Sequence, residues 1–170
     1  GGIDQTGNLK MAALTHRSAG SDFWPGPIDQ TSVSTNSDVC DDYDKHFKLN
    51  RKEVEDYVTA FKAGENPTPP AFMIDYPAHG NVALGHANYL APFYDADSNG
   101  TYNPLKGDYP AYDLGDNDKH VKGRYLNGDQ TIWWVFNDVG NIHTESGANA
   151  VGLEIHAQAF GFSTNDVINN

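Results

Sequence analysis

From Asn99 to Asn127 the chain runs without any hydrophobic period, through a stretch rich in Asp, Gly, Tyr and Pro. A connection of that length is uncommon in a compact domain unless something other than a core holds it. The residues that lead into it supply a means. Asp95, Asp97 and Asn99 place oxygen-bearing side chains at alternate positions, and Gly100 lets the backbone reverse. The carbonyl of Thr101 can then turn inward as a further oxygen donor. Asp108 follows as the next carboxylate, and Asn103 lies between them as a ligand acting directly or through water. Three carboxylates with neutral oxygens, and no thiolate or imidazole in the string, suit a hard cation wanting six to eight ligands, which points to Ca²⁺. The competing reading is a solvated Asp/Asn/Gly turn. Asp129 is a weaker additional ligand, and Asp113, Asp116 and Asp118 form a second acidic cluster more in keeping with a solvated loop.

With 170 residues, the chain is read as one domain, long enough to bury a core without staples. Its 11 Lys and Arg against 23 Asp and Glu give a formal charge of −12, which disfavours nucleic acid and anionic membranes as partners. No stretch is long and apolar enough for a membrane span. Cys40, the only cysteine, excludes an internal disulfide; it lies beside acids that oppose thiolate formation and is read as a buried small residue or a fortuitous thiol, not a nucleophile. The chain opens on Gly-Gly-Ile-Asp, which fits a mature form as well as a piece of something longer.

One helix is expected over about 50–64. Asn50 is a good N-cap, Glu53 completes a capping box, and Val54, Tyr57, Val58 and Phe61 form an apolar stripe ended by Gly64. Elsewhere strand signals prevail: 9–16, the short apolar run 72–76, Thr131 to Asn137, and Val151 to Phe160 as the longest candidate with period-two alternation. Ile132, Trp134 and Phe136 share one face of the third of these. The pattern predicts a mainly β domain, an antiparallel β-sandwich with one helix and a long calcium-braced loop.

The strings Asp22-Phe-Trp-Pro-Gly-Pro-Ile28, Asp97-Ser-Asn-Gly-Thr-Tyr-Asn-Pro-Leu-Lys-Gly-Asp-Tyr-Pro110, Gly128-Asp-Gln-Thr-Ile-Trp-Trp-Val-Phe-Asn-Asp138 and Gly152-Leu-Glu-Ile-His156 resemble a β-rich region of large secreted, surface-attached proteins of the Bacteroidota, of the type IX secretion cargo type. The resemblance covers the chain from about Gly2 onward. It implies export, a cell-surface location, more β-rich sequence beyond this segment, and no established enzymatic activity. The residues from Asp113 to Leu126 look like an insertion relative to that pattern. The Asp95–Gly100 spacing is in turn similar to the first half of EF-hand and dockerin calcium loops. It departs in the second half, where the twelfth position is Lys106 and Asp108 comes two places late.

Other constellations are weaker. His143, Glu145, Glu154 and His156 form two triplets whose side chains would share strand faces and assemble a His/Glu transition-metal site. Glu145 and Glu154 are also conceivable as a glycosidase pair with Trp24, Trp133 and Trp134 as sugar platforms, and Trp24 and Trp133 are the candidate ligand platform. Regular strand geometry sends Trp133 and Trp134 to opposite sides, so one is core and the other available. No nucleophile elbow, P-loop or dinucleotide fingerprint is present. The reading is therefore a non-enzymatic, extracellular, calcium-stabilised structural or adhesion domain, partnered by other surface or self-assembling subunits. The alternative is a carbohydrate-binding module or glycan-active enzyme using exposed tryptophan.

Overall fold

Strands dominate the regular structure. The computed structural model describes residues 1–16, 19–111 and 126–163. Among them are eight strands, β1 (Gly2–Ile3), β2 (Leu9–Lys10), β3 (Trp24–Pro25), β4 (Phe47–Asn50), β5 (Phe93–Tyr94), β6 (Tyr109–Pro110), β7 (Gln130–Asn137) and β8 (Glu154–Gly161). Three α-helices accompany them, α1 (Ser37–Tyr43), α2 (Arg51–Lys62) and α3 (Ala71–Ile74), with 3-10 turns at Val82–Leu84 and Pro104–Lys106. β1 pairs with β2, β5 with β6, and β7 with β3 and β4, all antiparallel; β8 also pairs with β7. The fold is mainly β. No helix among the described residues is long and apolar enough to cross a membrane.

The residues pack as two compact units, each assembled from three chain segments. The first comprises Gly1–His46, Gly80–Asn88 and Trp134–Ala157. In it β3 pairs with the end of β7, Trp24 opposite Asn137 and Pro25 opposite Phe136. Ile28, Val39 and Val135 are buried there together with Asp22, His86, Asn137, Asp138 and His143. Polar side chains inside this unit are fasteners for loops. Asp138 Oδ2 accepts the Val151 N–H at 2.6 Å, while its Oδ1 accepts those of Gly152 at 2.9 Å and Leu153 at 2.6 Å. Asp22 likewise accepts the N–H groups of Ala13, Glu145 and Ser146. Burial opposes its charge, yet Ser146 and those three N–H groups hold its pKa down to about 2.

The second unit comprises Phe47–His79, the described part of Tyr89–Trp133, and the described residues from Gln158 to Ser163. It has the apolar core: Leu49, Val54, Met73, Phe93 and Trp133 are all fully buried. Phe47 faces Trp133 across the β4–β7 ladder, ring centroids 5.9 Å apart. The helix read at 50–64 forms as α2: Asn50 accepts the Glu53 N–H, Val54, Tyr57 and Val58 are buried, and Gly64 ends it at φ +80°.

Three segments differ from their reading. The run 72–76 opens with a helical turn, because Pro70 presents its carbonyl to the N–H groups of Met73 and Ile74. Only Leu9–Lys10 of the stretch 9–16 is strand. β8 starts at Glu154 and not at Val151, since the Val151–Leu153 N–H groups converge on Asp138 and are lost to any ladder. Helix α1, capped by Asn36 on Val39 N, carries no apolar stripe and buries Val39 alone, which is why periodicity does not reveal it.

Candidate metal centre

Asp95 follows β5, and Asp108 directly precedes β6, so the β5–β6 pairing clamps the two ends of the acidic loop together. Asp95, Asp97 and Asp108 each offer a carboxylate oxygen, and these lie within 4.8 Å of one another. Asp108 is fully buried and Asp95 nearly so at 6 % exposure, while Asp97 is exposed. The loop is already shaped for them. Asp95 Oδ1 accepts the Asn99 N–H at 3.2 Å and its Oδ2 that of Gly100 at 2.6 Å. Asp108 Oδ1 accepts from Ala96 N at 2.8 Å and Oδ2 from Asn103 N at 2.7 Å. Gly100, at φ +76°, makes the reversal that brings its N–H inward.

The late arrival of the closing carboxylate has a structural cause. Pro104–Lys106 makes a 3-10 turn, capped by Asn103 Oδ1 on Leu105 N at 3.0 Å, and this turn occupies the places where a standard loop would close. Gly107 then reverses the chain at φ +95°, and a Cβ there would lie 2.5 Å from the Phe61 ring. Tyr57 donates its hydroxyl to the Pro104 carbonyl. The α2 stripe thus supports the turn that delivers Asp108. On the other side Tyr89 donates to the Gly100 carbonyl at 3.2 Å, and the Tyr102 N–H donates to His79 Nε2 at 2.8 Å. None of these supports is visible in ligand spacing; a Pro-x-x-Gly-Asp string after the loop is the one local signal for them.

The carboxylates are electrostatically unequal. For Asp95, burial opposes the charge, but the Gly100 and Asn99 N–H groups, with Asp97, outweigh it and its pKa is lowered. For Asp108, burial prevails over the N–H groups of Ala96 and Asn103, and the charges of Asp95 and Asp97 add to it, so its pKa is raised. A second ionised carboxylate beside a first is what a divalent cation relieves, and the cluster is able to hold one.

The remaining predicted ligands are placed as follows. Asn99 Oδ1 accepts its own loop's Thr101 N–H at 2.7 Å, Asn103 is a cap, and Thr101 is exposed. Asp129 is not brought to the cluster: it accepts the Ser163 N–H and pairs with Arg51, and these two partners lower its pKa. Asp113, Asp116 and Asp118 lie outside the described residues. No three of His143, Glu145, Glu154 and His156 bring ligand atoms within 4.8 Å of one another. His143 is buried with Nδ1 2.6 Å from the Met11 carbonyl and Nε2 2.6 Å from that of Asp138. Glu145 accepts from the Thr15 hydroxyl, whereas Glu154 accepts the Ile28 N–H and meets His156 Nε2 at 2.7 Å.

Trp133 is not a platform. It is 1 % exposed and part of the apolar core, while Trp134, on the opposite face of β7, is the half-exposed ring. Trp24 is half-buried. For Cys40, burial first and then Asp41 and Asp44 push the thiol pKa up, against any role as nucleophile. No family model, curated protein or solved structure matches this chain.

Proposed function

We propose that this chain is a non-enzymatic, calcium-stabilised β-sandwich domain that serves as a structural or adhesive segment of a secreted, surface-attached protein, with other surface or self-assembling subunits as its partners. The observation that carries the reading is the convergence of Asp95, Asp97 and Asp108 around a buried point, with Asp108 disfavoured as a free anion. Calcium is favoured over magnesium because an irregular, oxygen-only loop with part of its sphere left to water fits a large, flexible coordination shell. The motif resemblance supports the extracellular setting, where millimolar calcium is available. A site with Kd of about 10⁻⁵ M would there stabilise the fold by roughly 2.7 kcal/mol. That is a large share of ordinary domain stability.

The test is a calcium titration by calorimetry combined with thermal melts in calcium and in EGTA. The reading expects one saturable site and a clear drop in melting temperature on chelation. Equal melting temperatures under the two conditions, with no heat of binding, would overturn it.

A further inference from the structure

On the first unit, one face of β7 borders an open cleft of about 550 Å³, within the usual range of small-molecule sites. Its lining is mainly apolar: Trp134, Phe136 and Ile155 from the sheet, Phe23 and Trp24 from the segment around β3, and Leu14, which is 66 % exposed. The His46 and Phe23 rings pack against Trp134 and Phe136 in T-shaped contacts at 5.3 and 5.6 Å. These two rings are therefore walls of the cleft and not free stacking platforms. An exposed leucine beside half-buried aromatic side chains is apolar surface that a guest of the same character would remove from water.

The polar part of the cleft lies at the end of α1. Asp41 and Asp42 stand in the last turn, Asp44 is the C-cap and lines the cleft, and that turn holds no basic side chain. Helix C-termini and aspartates alike favour a cation. The negative field reaches the cleft wall: burial first, and then the charges of Asp42 and Glu154, raise the pKa of Tyr43. Lys45 is the one lysine or arginine among the described lining residues, and it is already engaged in an interaction of its own. The balance at this rim is negative, in keeping with the chain's formal charge of −12. An apolar trough bordered by a carboxylate matches a guest built of the same two complementary parts. We infer that this cleft binds a small organic amine, its aromatic or aliphatic body lying along β7 and its ammonium group beside Asp44. The body supplies the affinity and the charge supplies the choice, because an exposed ion pair contributes little while buried apolar area contributes in proportion to its size.

The test is calorimetry and tryptophan-fluorescence titration of the whole chain with 4-phenylbutylammonium and its uncharged and anionic counterparts, 4-phenylbutanol and 4-phenylbutyrate. Methylammonium serves as the cation without the apolar body. The amine is expected to bind saturably at a single site, with Kd on the order of 10⁻⁴ M. The alcohol should bind several-fold more weakly and the carboxylate at least about tenfold more weakly, while methylammonium should not saturate. Asp44→Asn, an exposed change that keeps the shape of the C-cap side chain, should cut the preference for amine over carboxylate about threefold. Leu14→Ala, also exposed, should weaken amine and alcohol alike by about threefold. No saturable binding of the amine, equal affinity for amine and carboxylate, saturation by methylammonium at this cleft, or a preference unchanged by Asp44→Asn would each overturn the assignment.

Discussion

His143 Nδ1 lies 3.7 Å from Asp22 Oδ2, with both side chains buried. The imidazole is further enclosed by two backbone carbonyls, those of Met11 and Asp138, each 2.6 Å from a ring nitrogen. Carbonyl oxygens only accept, so this enclosure favours the ring form that donates from both nitrogens, the imidazolium. Burial opposes that charge, but the two carbonyls and then the Asp22 and Asp138 carboxylates prevail, and the His143 pKa is raised.

The sign of the pH effect follows. The folded chain binds the His143 proton more tightly than the unfolded chain, whose imidazole titrates near about 6.5. The contribution is therefore complete below that value and is lost as pH rises through the higher folded one. Urea melts between pH 5 and pH 9 should show this decline, and His143→Gln should flatten it. A His143→Gln profile that parallels the parent would count against the imidazolium.

Asp108 gives a second pH dependence, tied to the metal. In EGTA, its raised pKa means that the folded state holds the proton longer than the unfolded state does. Metal-free stability should then fall as pH rises from about 3.9 through the Asp108 value. Saturating calcium should remove that decline, and Asp108→Asn should abolish the calcium-dependent rise in melting temperature. Asn103→Ala, by contrast, removes a cap and should cost about 0.5–2 kcal/mol equally in calcium and in EGTA. A loss confined to the calcium condition would make Asn103 a ligand.

Gly107→Ala tests whether α2 positions the loop. The added methyl meets the Phe61 ring, and φ +95° strains any L-residue. A destabilisation of about 1–3 kcal/mol is expected, together with weaker calcium binding, because the turn that carries Asp108 must shift. Unchanged affinity in a destabilised variant would separate the turn from the site.

The two adjacent tryptophans should behave oppositely. Trp133→Ala removes a fully buried ring and should cost about 3–5 kcal/mol in chemical denaturation. Trp134→Ala, at an only partly buried ring, should cost clearly less, about 1–2 kcal/mol. Similar losses at the two positions would contradict the burial of β7.

Legibility from sequence followed the range of the forces involved. Helix α2 was readable because its cap, stripe and stop all lie within its own residues, and β7 because its β propensity is dense and local. The Asp95–Asp97–Asp108 convergence was readable because oxygen side chains at alternate positions around Gly100 fix their own spacing within the loop. The choice between Trp133 and Trp134 was not, since alternation defines two faces without saying which is inward. Nor was the start of β8, where a carboxylate from an earlier segment captures Val151, Gly152 and Leu153. The helical turn at Ala71–Ile74 was missed because apolar character outweighed the proline placed before it. The use of the Asn103 oxygen as a cap for the 3-10 turn is likewise not visible in ligand spacing.

Asp138, clasping three consecutive amides, has a broader meaning for how this molecule withstands its surroundings. A fold tied by carboxylates, with a single cysteine in the chain, has no internal covalent tie for thiol reductants to cut. Asp22, the other carboxylate fastening loops in the first unit, has its pKa held down to about 2, against burial, by Ser146 and the N–H groups it accepts, and answers to protons instead. Strong acid, and not a reducing milieu, is the treatment that would unlace the first unit.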